Sequence, residues 1–240
     1  MNNQKISITE RDAFPLAKQR FIKTCGFNLD TEKHQRMMKM GLAVREKGIK
    51  GIDIRALVSF YGKEAVQDGK ICVGDIGFTC NYFEQIPADA IEGVYFYMLT
   101  AGECYFSSEE NIMDFLYADI WGTNYVDAGI QLLTEKIKED MEDRFPGREL
   151  FLSDEFGPGY FGMPVIESKK FFELLDAEQI GVWVKDSGLM IPQKSCAGFY
   201  LVFNRPGMKA EPECMRCRGN AAGCQFCAVK ANFDTRGRAK

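Results

Sequence analysis

Cys214, Cys217, Cys224 and Cys227 form the pattern C-x2-C-x6-C-x2-C. Each C-x2-C pair lets two thiolates converge on one ion or cluster without backbone strain, and Gly219 and Gly223 free the intervening loop to fold back. Arg216, Arg218 and Lys230 favour deprotonated thiolates and offset the charge of a tetrathiolate site. Four thiolates fit either Zn2+ or an iron–sulfur cluster of the [4Fe-4S] type. The interval is shorter than the roughly 15–20 residues between the pairs of a zinc ribbon. It also differs from the ferredoxin run C-x2-C-x2-C-x3-C-P, so spacing alone leaves the metal open. The one histidine, His34, excludes a multi-histidine site, an H-E-x-x-H metalloprotease and a Cys2His2 finger. It lies on an expected helix amid Lys33 and Arg36 and reads as a surface residue. The other cysteines, Cys25, Cys72, Cys80, Cys104 and Cys196, lie in or beside apolar segments and read as buried, inert thiols.

A second candidate is the run Phe156-Gly157-Pro158-Gly159-Tyr160-Phe161-Gly162, between an expected strand and an expected helix. Glycines let a backbone run close to a ligand, and Tyr160 offers a stacking face with a hydroxyl. The spacing is neither that of a phosphate-binding Gly-Lys-Ser/Thr loop nor that of a dinucleotide fingerprint. No acid–base pair or nucleophile stands out elsewhere, which makes Tyr160 the candidate catalytic residue.

These groups need a scaffold. Residues 9–24 read as a helix with Thr9 as N-cap and Glu10 and Asp12 in the first turn, although Pro15 suggests a start nearer Phe14. Asp30 or Thr31 caps a second helix running to Lys47, ended by Gly48. Its Met37, Met38 and Met40 read as core filling. Residues 51–60, 70–80 and 92–100 read as strands, with Ala90–Thr100 a buried central one. Helices are expected over 107–118, starting at Ser107 or Ser108, and over 120–143, where Ile130, Leu133, Ile137 and Met141 repeat at helical spacing. Pro146-Gly147 breaks that helix. A strand near 149–156, the glycine-rich turn, a helix at 167–176 and strands at 179–186 and 195–203 follow. Strands and helices mix without βαβ alternation, so the expected class is α+β with a mostly antiparallel sheet.

The chain of 240 residues carries a net charge of −4 and is 46% hydrophobic, as a soluble globular protein is. Residues 205–240 form a basic tail, net +5, on an acidic body over 1–204. Such a tail suits an anionic partner or a solvated end. With only Phe226 and Phe233 for base stacking, nucleic acid is disfavoured. No apolar run is long enough for a transmembrane helix and the start lacks a signal peptide, so no membrane association is expected and the expected compartment is the cytoplasm.

One segment carries a resemblance. From Phe171-Phe172-Glu173-Leu174-Leu175 through Ile180-Gly181-Val182 the chain reaches Ser187-Gly188-Leu189-Met190-Ile191-Pro192-Gln193-Lys194-Ser195-Cys196-Ala197-Gly198-Phe199-Tyr200. In order and spacing, with the Pro158-Gly159-Tyr160 turn before it, this resembles the activation domain of cobalamin-dependent methionine synthase. Ser187, Met190, Pro192, Ser195, Gly198, Phe199 and Tyr200 fall on the family's Ser-x-x-Met-x-Pro-x-x-Ser stretch and its Gly-aromatic-aromatic strand. The segment from Ala118 to Gln131 looks like the helix that small free-standing relatives carry before the turn. The resemblance spans roughly residues 10–204 and is most specific over 156–203. It implies a twisted antiparallel sheet flanked by helices, which presents S-adenosylmethionine (AdoMet) to a corrinoid held by another domain or protein. There an electron and the AdoMet methyl group restore methylcobalamin from an inactive Co(II) state. Carried over, Gly157, Pro158, Gly159 and Tyr160 would contact AdoMet, with Met190, Pro192 and Ser195 in the adjoining loop.

The chain departs from the family in three ways. The family's arginine five residues before the turn's tyrosine, which pairs with the AdoMet carboxylate, is Glu155 here. That reverses the charge and disfavours AdoMet at that end. The long N-terminal part that supplies an acidic contact is absent, and the four-cysteine tail is added. An iron–sulfur cluster there could deliver a low-potential electron, since such potentials reach down to about −700 mV. The leading expectation is therefore a reactivation or handling factor for a corrinoid-binding protein or methionine synthase-like methyltransferase. The alternative is a non-catalytic corrinoid- or protein-binding module with a structural zinc. A third reading is an AdoMet-dependent methyltransferase of another type.

Overall fold

A five-residue strand, β1 (Gln4–Ile8), leads into α1 (Glu10–Thr24). Thr9 starts this helix: its hydroxyl accepts from the Asp12 backbone N–H at 3.1 Å, and acids at Glu10 and Asp12 meet the positive end of the dipole. The start is therefore Glu10 and not Phe14, with Pro15 inside the helix. The second helix, α2 (Glu32–Gly48), follows Thr31, whose hydroxyl accepts from the His34 backbone N–H at 3.4 Å. These coordinates are a computed structural model that describes residues 2–67, 70–80, 86–103 and 111–206. The four-cysteine motif, Cys104 and the helix start expected at Ser107 or Ser108 lie outside the described residues.

The strands that follow are β2 (Ile52–Gly62), β3 (Val66–Gln67), β4 (Lys70–Val73), β5 (Ile76–Phe78) and β6 (Ile91–Gly102). Then come α3 (Ile112–Arg144), β7 (Phe151–Leu152), α4 (Ser168–Leu174), β8 (Trp183–Val184), β9 (Met190–Ile191) and β10 (Ser195–Phe203). The main sheet has the order β1-β2-β6-β10-β7, with every pair antiparallel. In the centre, Leu99 of β6 faces Ala56 of β2 on one side and Cys196 of β10 on the other.

Every residue of β6 is buried. Alternation nevertheless persists: Tyr95, Tyr97 and Leu99 join one core and Phe96 and Met98 the other, as period-2 geometry requires. Because both faces of the sheet are covered, the strand reads as a continuous apolar run. Helices α1, α2 and α3 cover one face. There Phe21 stacks on Trp121 at 4.0 Å, and the Trp121 indole donates to the Gly41 carbonyl at 2.8 Å. Arg45 is buried at this junction. It donates from Nε to the Tyr125 hydroxyl at 2.8 Å, pairs with Glu10 and lies 3.7 Å above the Phe14 ring, which satisfies a charge that would otherwise be costly to bury. On the other face Phe78, Phe96, Phe171 and Phe199 pack together beneath α4.

The α+β, antiparallel architecture agrees with the expectation, while several elements differ. Residues 70–80 are a β4–β5 hairpin that pairs with β3 in a separate sheet, because the Gly74 turn reverses the chain. In place of two helices over 107–118 and 120–143 there is a single α3. Nothing between residues 118 and 120 breaks a helix, and Asn111 caps the start by accepting from the backbone N–H groups of Met113 and Asp114. Strand 149–156 reduces to Phe151–Leu152 plus a bridge at Phe156. The expected strand 179–186 is mostly a tight turn, with only Trp183–Val184 extended. His34 is half-buried, stacked on Phe27 and accepting at Nδ1 from the Asn28 N–H. Met38 enters the core, whereas Met40 is exposed.

Candidate functional site

The glycine-rich turn is laid against the start of β10. Phe156 exchanges two backbone hydrogen bonds with Phe199, at 3.0 and 2.8 Å. The approach is close: a Cβ on Gly157 would lie 2.7 Å from the Ala197 carbonyl, and one on Gly198 would lie 2.6 Å from the Phe156 carbonyl. Only two glycines facing each other allow it. The turn then closes on itself, Tyr160 N–H to Gly157 O at 3.0 Å and Gly159 N–H to Met163 O at 2.8 Å, with Gly159 at φ +91°. This geometry thrusts Tyr160 outward, where 60% of its surface is exposed.

Behind the tyrosine lies a cleft of about 460 Å³, a size suited to a small-molecule ligand. Five separate parts of the chain line it. Arg20 comes from α1, Asp127 and Ile130 from α3, and Glu155, Pro158 and Tyr160 from the turn and its approach. Met190 comes from β9, and Ser195 and Cys196 from β10. Of the residues expected from sequence, Pro158, Tyr160, Met190 and Ser195 converge on this cleft. Gly157 packs on β10, Gly159 shapes the turn, and Pro192 is buried beside β9; none of these three lines the cleft. The Ser195 hydroxyl donates to Thr100 Oγ1 at 2.8 Å and so ties the cleft floor to β6.

Glu155 is half-buried and accepts a short hydrogen bond from the Tyr97 hydroxyl. Burial pushes its carboxyl above the usual range; the Tyr97 hydrogen bond opposes this, and nearby Asp127 adds to it. Asp127 is raised by burial as well, with partial relief from Arg20. The Cys196 thiol is pushed well above its ordinary value by burial and then by both carboxylates. A thiol held protonated is a poor nucleophile. Val165, Ile166, Trp183 and Leu189 are also exposed. Gly188 holds the Leu189 segment against the backbone of Val165 and Ile166, and Ser168 Oγ donates to the Gly188 carbonyl at 2.6 Å.

Arg20, Asp127 and Cys196 were not singled out as cleft residues by the sequence. Asp127 falls within the helix that looks like the one in free-standing relatives, and Cys196 adjoins Ser195, but Arg20 carries no local signal. Among the described residues no group of three or more His, Cys, Asp or Glu is placed to hold a metal ion. Nor, among them, is any helix long and apolar enough to cross a membrane.

No protein-family model matches the chain, and no curated protein matches it in sequence. Among solved structures it is similar to the MetH reactivation domain, in a crystal structure bound to S-adenosylhomocysteine (AdoHcy). The TM-score is 0.61 at 14% identity, over 87% of this chain and 80% of that one. At that identity the likeness is one of fold.

Proposed function

We propose that the protein is a handling or reactivation factor for a corrinoid-dependent enzyme or corrinoid-binding protein, and that its cleft takes a ligand of the AdoMet and AdoHcy class. One observation carries this reading. The cleft lies on the Pro158–Tyr160 turn of a fold shared with a reactivation domain whose crystal structure contains AdoHcy. Tyr160 would stack on or border the ligand, Pro158 and Met190 would supply apolar wall, and the exposed Tyr160 side of the cleft would face the partner's corrinoid. The chemistry called for is one-electron reduction of cobalt from Co(II), then passage of the AdoMet methyl group to cobalt, which leaves AdoHcy. In this reading Cys214, Cys217, Cys224 and Cys227 would hold a cluster able to pass one electron from an external reductant.

Isothermal titration of the full chain with AdoMet and AdoHcy tests the cleft, and iron and zinc analysis with an anaerobic visible spectrum tests the tail. Saturable binding of both ligands, lost or weakened in Tyr160→Ala, supports the reading; absence of binding of either removes it. Iron with thiolate-ligated absorption supports electron relay. Glu155 in the cleft favours a second reading, a non-catalytic corrinoid- or protein-binding module whose tail holds a structural zinc. One zinc per chain, and an unchanged cobalt oxidation state on mixing with a cobalamin protein, would decide for it.

A further inference from the structure

The cleft holds an Arg20–Asp127 pair and a second carboxylate, Glu155, that is tied to another element. Arg20 is the single cation among the described residues that line it, and Asp127 and Glu155 are the anions. Arg20 projects from α1 toward two residues one turn apart on α3. Its Nη1 lies 3.6 Å from Asp127 Oδ2, and its Nη2 donates to Gln131 Oε1 at 3.3 Å. These contacts are long and engage one partner atom each, so they aim the guanidinium without locking it in a bidentate pair. Its side chain is 41% exposed and retains donors for a ligand. Glu155 is fixed elsewhere, by Tyr97 from the central strand. A carboxylate entering the cleft would be repelled at Glu155 and drawn to Arg20, while an ammonium or sulfonium group would meet Glu155.

We infer that Arg20 reads the carboxylate of the ligand, and that Glu155 receives its positive end. The cleft thereby selects a zwitterionic amino-acid group on a larger body lodged against Pro158, Tyr160 and Met190. Asp127 and Gln131 act as positioning residues for Arg20. The inference rests on the reading of the cleft as a site of the AdoMet and AdoHcy class, and it replaces an arginine just before the turn with one from a helix about 135 residues earlier in the chain.

The test uses two probes that differ only in the carboxylate, AdoMet and decarboxylated AdoMet, titrated calorimetrically into the full-length protein and its Arg20→Ala and Arg20→Lys variants. Arg20→Ala is expected to weaken AdoMet binding at least about tenfold, the loss typical of one charge-assisted contact. It should leave decarboxylated AdoMet within about twofold, and Arg20→Lys should recover part of the loss. Equal weakening of both probes by Arg20→Ala would make the residue structural and overturn the inference, as would unchanged AdoMet affinity. Failure of the wild-type protein to bind either probe would remove the ligand class itself, a result distinct from both. Thermal melting of each variant, expected to match the wild type because Arg20 lies outside both cores, separates ligand loss from unfolding.

Discussion

Glu155 holds its proton to higher pH in the folded protein than in the unfolded chain, because burial and Asp127 both disfavour its charge. Across the window from the ordinary glutamate range up to that raised value, the folded state binds more protons. Stability therefore falls as pH rises through the window, and the deficit persists above it. Glu155→Gln removes the charge yet still offers an acceptor to Tyr97. It is expected to flatten this pH dependence and to raise the melting temperature at pH 7. Melting curves from pH 4 to 8 for both proteins check it; an identical slope in the variant would show that Glu155 does not set the dependence. Cys196, beside it, is expected to resist iodoacetamide at pH 8 in the folded protein and to react once denatured. Mass mapping of the alkylated peptide reads this directly, and labelling of native Cys196 at the rate of a denatured thiol would contradict the raised thiol value.

Among the elements, the contact of the turn with β10 governs the cleft. A methyl group on Gly198 would meet the Phe156 carbonyl at 2.6 Å and the Tyr97 hydroxyl at 2.8 Å. The first neighbour is backbone and cannot step aside without parting the Phe156–Phe199 bridge. Gly198→Ala is therefore expected to cost about 2–4 kcal/mol, the range of a strained, well-packed site, and to weaken cleft binding along with it. Urea denaturation measures the first effect and calorimetry the second. A variant as stable as wild type would mean that the turn can lift off β10 freely. The same contact explains why Gly198 falls on a sequence motif: the motif residue has a packing role, which spacing alone cannot distinguish from a ligand role.

Across the whole molecule, two cores sandwich one sheet, and both are built from residues between Ala13 and Phe203. Among the described residues, none beyond Phe203 belongs to either core. Replacing Cys214, Cys217, Cys224 and Cys227 together by serine is thus expected to abolish bound metal while leaving the far-ultraviolet spectrum and the melting temperature of the body within about 2 °C, less than ~1 kcal/mol at this size. Metal analysis and circular dichroism test the two halves separately. Loss of the body's cooperative melting would show that the metal site supports the fold rather than adding to it.

Much of the architecture was legible because its causes are local. Thr9 and Thr31 cap helices with their own side chains, Gly48 ends one, and the Ala90–Thr100 run is apolar on both faces because it is the central strand. Where the cause was not local, the sequence misled. Strand β1 alternates exposed and half-buried residues too weakly to stand out, and exists because β2 offers an edge. The helix expected in two pieces, over 107–118 and 120–143, is one α3 because nothing between residues 118 and 120 breaks it. For the site, the turn and the Met190–Ser195 stretch were visible, since neighbouring residues carry the pattern. What the sequence determined by itself was the set of short-range choices: caps, periods, turns and the spacing of the four cysteines. Only the tertiary structure decided which distant residues join the turn at the cleft. Arg20 and Asp127 lie far along the chain from Glu155 and Cys196, and the electrostatic character of the site exists only because α1, α3, the turn and β10 pack together, where burial makes every charge depend on its neighbours.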